Sequence, residues 1–268
     1  MIVIIGSGPA GISAAIYIKR ANIPVMIITN HKSSLVKAKS VENYYGTGKI
    51  SGENLYYQGI ASALELDIPI IEDEAVGISV EKGMSIEGIK DNYSCDAIVL
   101  ATGSSVSKNY IPGVSSLEGK GVSFCATCDG YFFKNKKLIV IGNGEYANHE
   151  YEYLKNISPD ITLLNPDNIK SVTGIDKVEG LILNDDTEIL ADGIFIADNP
   201  DSSVLARKTG IIEKDGHIAT NEQMETNIPG IFVCGDITPG PKQIAKAVYE
   251  GMIAGNSAIS FYKEKKKD

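Results

Sequence analysis

Apolar residues in this chain gather in short unbroken runs, and most of the runs end at glycine. Met1-Ile-Val-Ile-Ile5 leads into Gly6-Ser-Gly-Pro-Ala-Gly11, then into Ile12, Ala15, Ile16 and Ile18 on the apolar faces of a helix. Ile23 to Thr29 is the next run, so the chain opens as a β-α-β unit. A helix is predicted from about Gly52 to Leu66. Residues 69–101 alternate and break at glycines, which predicts short antiparallel strands. The apolar strand Ala97–Ala101 ends in Thr102-Gly103.

Pro112-Gly113 marks a crossing to a second unit. Within it, Leu138-Ile-Val-Ile141, Gly142-Asn-Gly-Glu-Tyr-Ala147 and a following helix echo the opening motif. Ile161–Leu164 reads as the next strand, followed by Asn165-Pro-Asp-Asn168 and short strands over Gly180–Leu190 and Gly193–Ala197. The character of the first unit then returns in Ile231-Phe-Val-Cys234, Gly235-Asp236 and a helix from about Lys242 to Tyr262. The second unit is therefore read as inserted between two halves of the first.

A G-x-G-x-x-G run between a strand and a helix binds a dinucleotide. Its first glycine permits the turn, the second admits the pyrophosphate and the third lets helix and strand pack closely. Here these are Gly6, Gly8 and Gly11, with Pro9 and Ala10 between, and phosphate is expected at the helix N-terminus. An acidic residue usually grips the ribose about 20 residues further on. Residues 25–40 contain no Asp or Glu, and Asn30 or His31 occupies that point.

Composition narrows the class. The 268 residues suffice for two domains, and 43% hydrophobic with 22% charged residues reads as soluble and globular. A net charge of −9 disfavours nucleic acid as a partner. No long uncharged apolar run suggests a membrane span. Met1 enters a strand at once, which leaves no room for a signal peptide and points to a cytoplasmic setting. The lysine-rich end, Lys263–Asp268, reads as a solvated tail.

Of four cysteines, only Cys125 and Cys128 have a chemically meaningful spacing. A lone C-x-x-C suits either redox work or half a zinc site. His31, His149 and His217 are scattered, so no metal is expected. Cys95 and Cys234 lie in or beside apolar strands and are expected as buried core thiols. A redox-active dithiol downstream of a nucleotide loop implies a disulfide reductase.

Gly6–Gly11, Val41-Glu-Asn-Tyr-Tyr45, Ala101-Thr-Gly103, Cys125-Ala-Thr-Cys-Asp129 and Gly235-Asp236 occur in the order found in low-molecular-weight thioredoxin reductases. The sequence resembles that flavoprotein family over nearly its whole length. The resemblance implies an α/β fold of two Rossmann-like, three-layer ββα domains: residues 1–106 with 198–268 for FAD, and residues 107–197 for the disulfide. It implies that Gly6, Gly8 and Gly11 hold the FAD pyrophosphate, Asn43 faces the flavin, and Thr102 and Gly103 line the crevice. Gly235-Asp236 would meet the ribityl or phosphate region, with Gln243 and Ile244 near the isoalloxazine edge. Lys242 stands where the family has Arg, exchanging a bidentate donor for a point charge. Other roles remain open: Asp236 as a turn cap, Tyr44 and Tyr45 as core aromatics, Thr102-Gly103 as a plain strand-ending turn. By resemblance Cys128 takes electrons from FAD, Cys125 attacks the thioredoxin disulfide, and Asp129 moves the proton or caps a helix. Thiolate character is expected from a helix start after Cys128. A homodimer is also implied.

The electron donor is where the chain departs from most relatives. NADPH-using members carry His-Arg-Arg after the second unit's second strand. Here Leu163-Leu-Asn-Pro-Asp-Asn-Ile-Lys170 has no Arg, and a helix and strand of the nicotinamide cleft look deleted. Glu145, Tyr146, His149 and Glu150 are expected to crowd the second loop, which reads as a relic. These deletions resemble the ferredoxin-dependent flavin thioredoxin reductases, and Lys134, Lys136 and Lys137 are a candidate ferredoxin patch or simply a solvated turn. An NAD(P)H-dependent reductase and a non-enzymatic redox sensor are the alternatives.

Overall fold

The computed structural model describes every residue except 32, 82, 104–110, 198–201, 215–216 and 268, with 202–204 and 207 described in backbone alone. The described chain divides into two compact units: Met1–Ser105 with Leu205–Asp268, and Val106–Val204. The boundaries expected at 106–107 and 197–198 fall among or against residues outside the described set.

The first unit is built on a five-stranded parallel sheet. Its order is Ile231–Val233, Ala97–Leu100, Ile2–Ile5, Val25–Thr29 and Ile70–Glu72. The three central strands are buried almost completely, which is why their sequences are unbroken apolar runs rather than alternating ones. Ile70–Glu72 joins this parallel sheet, whereas an antiparallel strand was expected there. Only Ala75–Ser79, Met84–Gly88 and Asn92–Cys95 form the antiparallel sheet.

Helix Pro9–Arg20 starts with proline, whose missing N–H costs nothing at that position, and buries Ile12, Ala14, Ala15 and Ile18. It packs along helix Ile244–Lys265. A Cβ on Gly251 would lie 2.2 Å from the Ala10 carbonyl oxygen, so that glycine sets how closely the two helices approach. The last helix runs further than expected, to Lys265, and Lys265 lies 3.5 Å from Asp96, which also binds the N-terminal ammonium. The basic end is thus helical and ion-paired in part, while Lys263–Lys267 all remain exposed as expected of a solvated tail.

The second unit has a four-stranded parallel sheet, ordered Ile161–Leu164, Leu138–Ile141, Gly193–Ile196 and Val122–Ser123. Helix Gly144–Lys155 connects the first two of these. Directly after Leu164 the chain makes a single 3-10 turn, Pro166–Asn168. It then enters a three-stranded antiparallel sheet, Ile169–Gly174, Val178–Leu183 and Glu188–Leu190. Among the described residues, no helix is long and apolar enough to cross a membrane, and no three His, Cys, Asp or Glu gather as metal ligands.

Candidate active site

At the carboxyl edge of the first sheet, three adjacent strands bring Gly6, Thr102-Gly103 and Gly235-Asp236 together from distant parts of the chain. Ligands of doubly wound sheets bind at this edge. The three glycines of the opening loop meet different demands. Gly6 has φ +108° and a Cβ there would lie 2.3 Å from the Ala101 carbonyl oxygen. On Gly11 it would lie 1.9 Å from the Gly6 carbonyl oxygen. On Gly8 the nearest atom is Ser33 Oγ at 3.8 Å. Folding therefore requires the first and third glycines, while the second leaves open space.

Helix Pro9–Arg20 begins beside that space without a side-chain cap, and its N-terminal N–H groups favour an anion. An adjoining cavity of about 380 Å³ is lined by Gly8, Pro9, Tyr44, Tyr56, Ile244 and Val248 among others. This open second glycine and uncapped helix start fit a dinucleotide pyrophosphate. Tyr44 lines the cavity, but Tyr45 is 99% exposed, so the expectation of a core aromatic fails for Tyr45.

Asn43 and Gln243, both expected near a flavin, meet directly: Asn43 Nδ2 donates to Gln243 Oε1 at 3.0 Å. Lys242 stands exposed beside them in sequence. Asn30, at the end of its strand, donates to Glu74 Oε1 at 3.0 Å. His31 faces elsewhere, its Nδ1 3.0 Å from the Tyr56 hydroxyl. That hydroxyl lies 2.7 Å from Ser7 Oγ, which in turn lies 2.7 Å from Thr29 Oγ1. A buried chain of hydroxyls thus braces the glycine loop from helix Gly52–Glu65, and sequence reading did not single out its members.

Asp236 is partly exposed, and burial pushes its carboxyl above the ordinary range, with Lys246 and Lys242 pulling the other way. Behind it, Glu250 Oε2 accepts the Gly235 N–H at 2.9 Å and lies 2.7 Å from Thr238 Oγ1 and 3.0 Å from Lys246 Nζ. Lys246 also donates to the Gly235 carbonyl at 3.0 Å. This buried network pins the Gly235-Asp236 turn. Its signal in the sequence was a Lys–Glu pair at i,i+4 among the apolar residues of the helix's first two turns.

In the second unit Cys125 and Cys128 form a disulfide. Cys125 is 4% exposed while Cys128 faces solvent. The short helix starts after Cys125, at Ala126, rather than after Cys128 as expected. Cys125 is its N-cap residue, and Cys128 N–H donates to Cys125 Sγ at 3.1 Å. That N–H points at the Cys125 sulfur, where it would favour a thiolate once the disulfide is reduced. Asp129 ends this helix and stands at the N-cap position of the 3-10 helix Gly130–Phe133 that follows, without a side-chain cap hydrogen bond. Ser123, not foreseen, accepts the Cys125 N–H at 3.0 Å and donates to Asp129 Oδ2 at 2.6 Å. Ala126 N–H donates to Glu150 Oε2 at 3.1 Å.

The remaining thiols are unreactive by comparison. Cys234 is fully buried and its thiol is pushed up by desolvation. Cys95 is only partly buried, against expectation, yet burial still pushes its thiol up to about 12.

The second glycine loop is not crowded in the way expected. Tyr146 and Glu150 are buried, and Glu150 faces the redox turn. A Cβ on Gly144, at φ +81°, would meet nothing within 4 Å. Among the described residues, only the 3-10 turn Pro166–Asn168 lies between Ile161–Leu164 and the antiparallel sheet, and Lys170, the basic residue of the run 163–170, is paired with Asp186 at 2.5 Å.

The sequence profile of the pyridine nucleotide-disulphide oxidoreductase family matches residues 1–168 and 157–251, and the chain belongs to that family. Within it, the chain is 30% identical to the thioredoxin reductase of Listeria innocua over 302 aligned positions, covering 99% of this chain and 95% of that protein. An alignment of 302 positions exceeds the 268 residues of this chain, so the relative has segments that are absent here. Among solved structures it is similar to an atypical thioredoxin reductase from Desulfovibrio vulgaris, with TM-score 0.90, 32% identity and 98% of both chains covered. It is also similar to a ferredoxin-flavin thioredoxin reductase from Clostridium acetobutylicum, with TM-score 0.80, 30% identity and 98% of both chains covered. These relationships make the chain a flavoprotein of thioredoxin reductase type with FAD as its cofactor.

Proposed function

We propose that this protein reduces the disulfide of thioredoxin through Cys125 and Cys128, with electrons that reach its FAD from reduced ferredoxin rather than from a pyridine nucleotide. The observation that carries the donor assignment is the truncation after Leu164. The chain turns through Asn165-Pro-Asp-Asn168 straight into an antiparallel sheet, with no arginine in the run and its lysine already paired with Asp186. A 2′-phosphate needs bidentate cationic partners, and this segment offers none. The similarity to a ferredoxin-flavin enzyme supports the same reading.

Bound FAD supplies the means to turn two single-electron deliveries into one two-electron disulfide reduction. Energetically this runs downhill: plant-type ferredoxins lie near about −400 mV and thioredoxin near about −270 mV, a gap of roughly 6 kcal/mol for two electrons. With FAD bound, Gly6, Gly8 and Gly11 would hold the pyrophosphate, Asp236 would meet the ribityl or phosphate region, Thr102-Gly103 would line the crevice, and Asn43, Lys242, Gln243 and Ile244 would stand near the flavin edge. Asn30, beside Glu74, takes the ribose.

In the reduced state the Cys125 thiolate attacks one sulfur of the partner disulfide and the other partner sulfur leaves as thiolate. Asp129, held by Ser123, takes the Cys128 thiol proton and passes it to that leaving thiolate, and solvent protonates the second partner sulfur on its release. Cys128 then attacks Cys125, which releases the partner as dithiol and restores the Cys125–Cys128 bond. Tyr131 and Phe132, 73% and 80% exposed right after this turn, offer apolar contact for the partner. Lys134, Lys136 and Lys137 follow, all exposed, as the docking patch for an acidic ferredoxin. The working protein is a cytoplasmic homodimer.

Anaerobic mixing tests this reading. NADPH and NADH are expected to leave the flavin oxidised. Reduced ferredoxin bleaches it, and many equivalents of thioredoxin are then reduced, one disulfide per two ferredoxins. Stoichiometric bleaching by NADPH overturns the donor assignment. A single turnover that stops overturns the catalytic one and favours a redox sensor.

A further inference from the structure

Glu150 is a buried carboxylate that the exchange chemistry leaves unused. It is 2% exposed, on the second turn of helix Gly144–Lys155, and such a group is costly to bury unless its oxygens are engaged. Its Oε2 accepts the N–H of Ala126, the first helical residue after Cys125, at 3.1 Å. Its Oε1 lies 3.5 Å from His149 Nδ1.

We propose that Glu150 is a positioning residue of the redox turn: it holds Cys125 at the start of its helix and its charge limits how far the Cys125 thiolate is stabilised. The proposal rests on Cys125–Cys128 being the working couple. Two opposing influences act on one sulfur. The Cys128 N–H, 3.1 Å away, favours the thiolate. The Glu150 carboxylate, attached to the very next peptide, disfavours it through a low-dielectric interior. Reduction takes two electrons and two protons to give the dithiol, and ionisation of Cys125 then releases one proton. A more stable thiolate pulls that equilibrium toward the reduced form and makes the disulfide more oxidising. Glu150 therefore keeps the pair reducing enough to hand electrons on.

Glu150→Gln separates charge from position, because the amide oxygen can still accept the Ala126 N–H. In mildly alkaline glutathione buffer, where thiolate is populated, the equilibrium constant for dithiol formation should rise about tenfold, which is about 30 mV for a two-electron couple. In a Cys128→Ser background the same change should speed alkylation of Cys125 several-fold. Should the amide variant fail to fold, Glu150→Asp tests the positioning half, with faster hydrogen exchange expected at Ala126. An exchange constant within about twofold of wild type, or unchanged protection at Ala126, overturns the proposal. A wild-type disulfide that glutathione and dithiothreitol cannot reduce overturns the functional reading beneath it.

Discussion

Both units contain a strand, a glycine loop, a helix and a second parallel strand, and they diverge after that strand. In the first, residues 30–69 build a 3-10 turn, helix Gly52–Glu65 and a path to a further strand. That helix supplies Leu55, Tyr56 and Gly59 to the cavity wall and the hydroxyl that braces Ser7. In the second, among the described residues, Leu164 is followed by a single 3-10 turn and then the antiparallel sheet. The loop nevertheless keeps its form there. A Cβ on Gly142 would lie 2.3 Å from the Ala197 carbonyl oxygen and 2.8 Å from the Ala147 Cβ. Packing of strand, loop and helix alone requires small residues at both positions. A G-x-G-x-x-A pattern can thus be required by packing alone, whether or not a ligand sits on it.

The units also share a device. Strands Ile231–Val233 and Val122–Ser123 occupy the same sheet position, beside Ala97–Leu100 and Gly193–Ile196 respectively. Each leads into the turn that carries its unit's chemistry, and in each a buried glutamate accepts an N–H of that turn. Glu250 has an ammonium at 3.0 Å, whereas Glu150 has an imidazole at 3.5 Å. The first arrangement is a buried ion pair, so Glu250→Ala should cost about 3–5 kcal/mol by leaving Lys246 uncompensated. Chemical denaturation would measure it. Lys246→Met with Glu250→Leu should recover most of the loss. A cost below about 1 kcal/mol for the single change would mean that the pair is effectively solvated, and the parallel between the two turns would weaken.

The open glycines give a second, smaller test. Gly8→Ala should leave the apo fold nearly intact, because a Cβ meets only Ser33 Oγ at 3.8 Å, yet flavin retention should fall steeply. Gly144→Ala should cost about 1–2 kcal/mol through its left-handed backbone, φ +81°, and leave ferredoxin-driven turnover unchanged. A tenfold loss of turnover in Gly144→Ala, measured well below its melting temperature, would make the second loop a working site and erase the contrast.

What could be read in advance followed from local physics. Continuous apolar runs gave the central parallel strands because burial on both faces leaves no room for alternation. Glycine spacing located the loop, and the cysteine pair located the redox turn. Ile70–Glu72 was misassigned because three residues carry too little pattern to tell a parallel edge from an antiparallel strand. The helix start at Ala126 was placed one turn late because a four-residue helix has no periodicity to reveal it. Ser123, Tyr56 and Glu74 were missed for other reasons. Tyr56 and Glu74 act on residues brought near by the fold, Ser7 across 49 positions and Asn30 across 44, whereas Ser123 acts on its neighbours Cys125 and Asp129, where no spacing pattern marks it. Tyr146 and Glu150 were assigned to the wrong side of their helix, where bulk and charge were noted but the inward face was not.

The smallest effect concerns Asp236, the ionisable residue of the first unit's turn, whose role has no charged counterpart at the same place in the Cys125–Cys128 turn. Burial raises its carboxyl above the ordinary 3.8, against the pull of Lys246 and Lys242. A carboxyl whose folded value is raised contributes stability that is complete below the unfolded value and is lost as pH rises through the folded one. At neutral pH Asp236 therefore works against the apo fold. Asp236→Asn should raise the melting temperature of the apo protein at pH 7, and the gain should vanish as the pH is brought down toward 3.8. Carboxylates such as Asp73 and Asp96, held low by hydrogen bonds and by the N-terminal ammonium, respond oppositely to acid but cancel in the difference between the two proteins. The same substitution should weaken FAD retention, since a hydroxyl donor loses its ionised acceptor. Opposite signs for apo stability and cofactor retention are what a residue kept for binding at some cost to the fold should give. A variant that loses apo stability equally at pH 7 and at pH 4 would instead mark Asp236 as a structural cap of its turn.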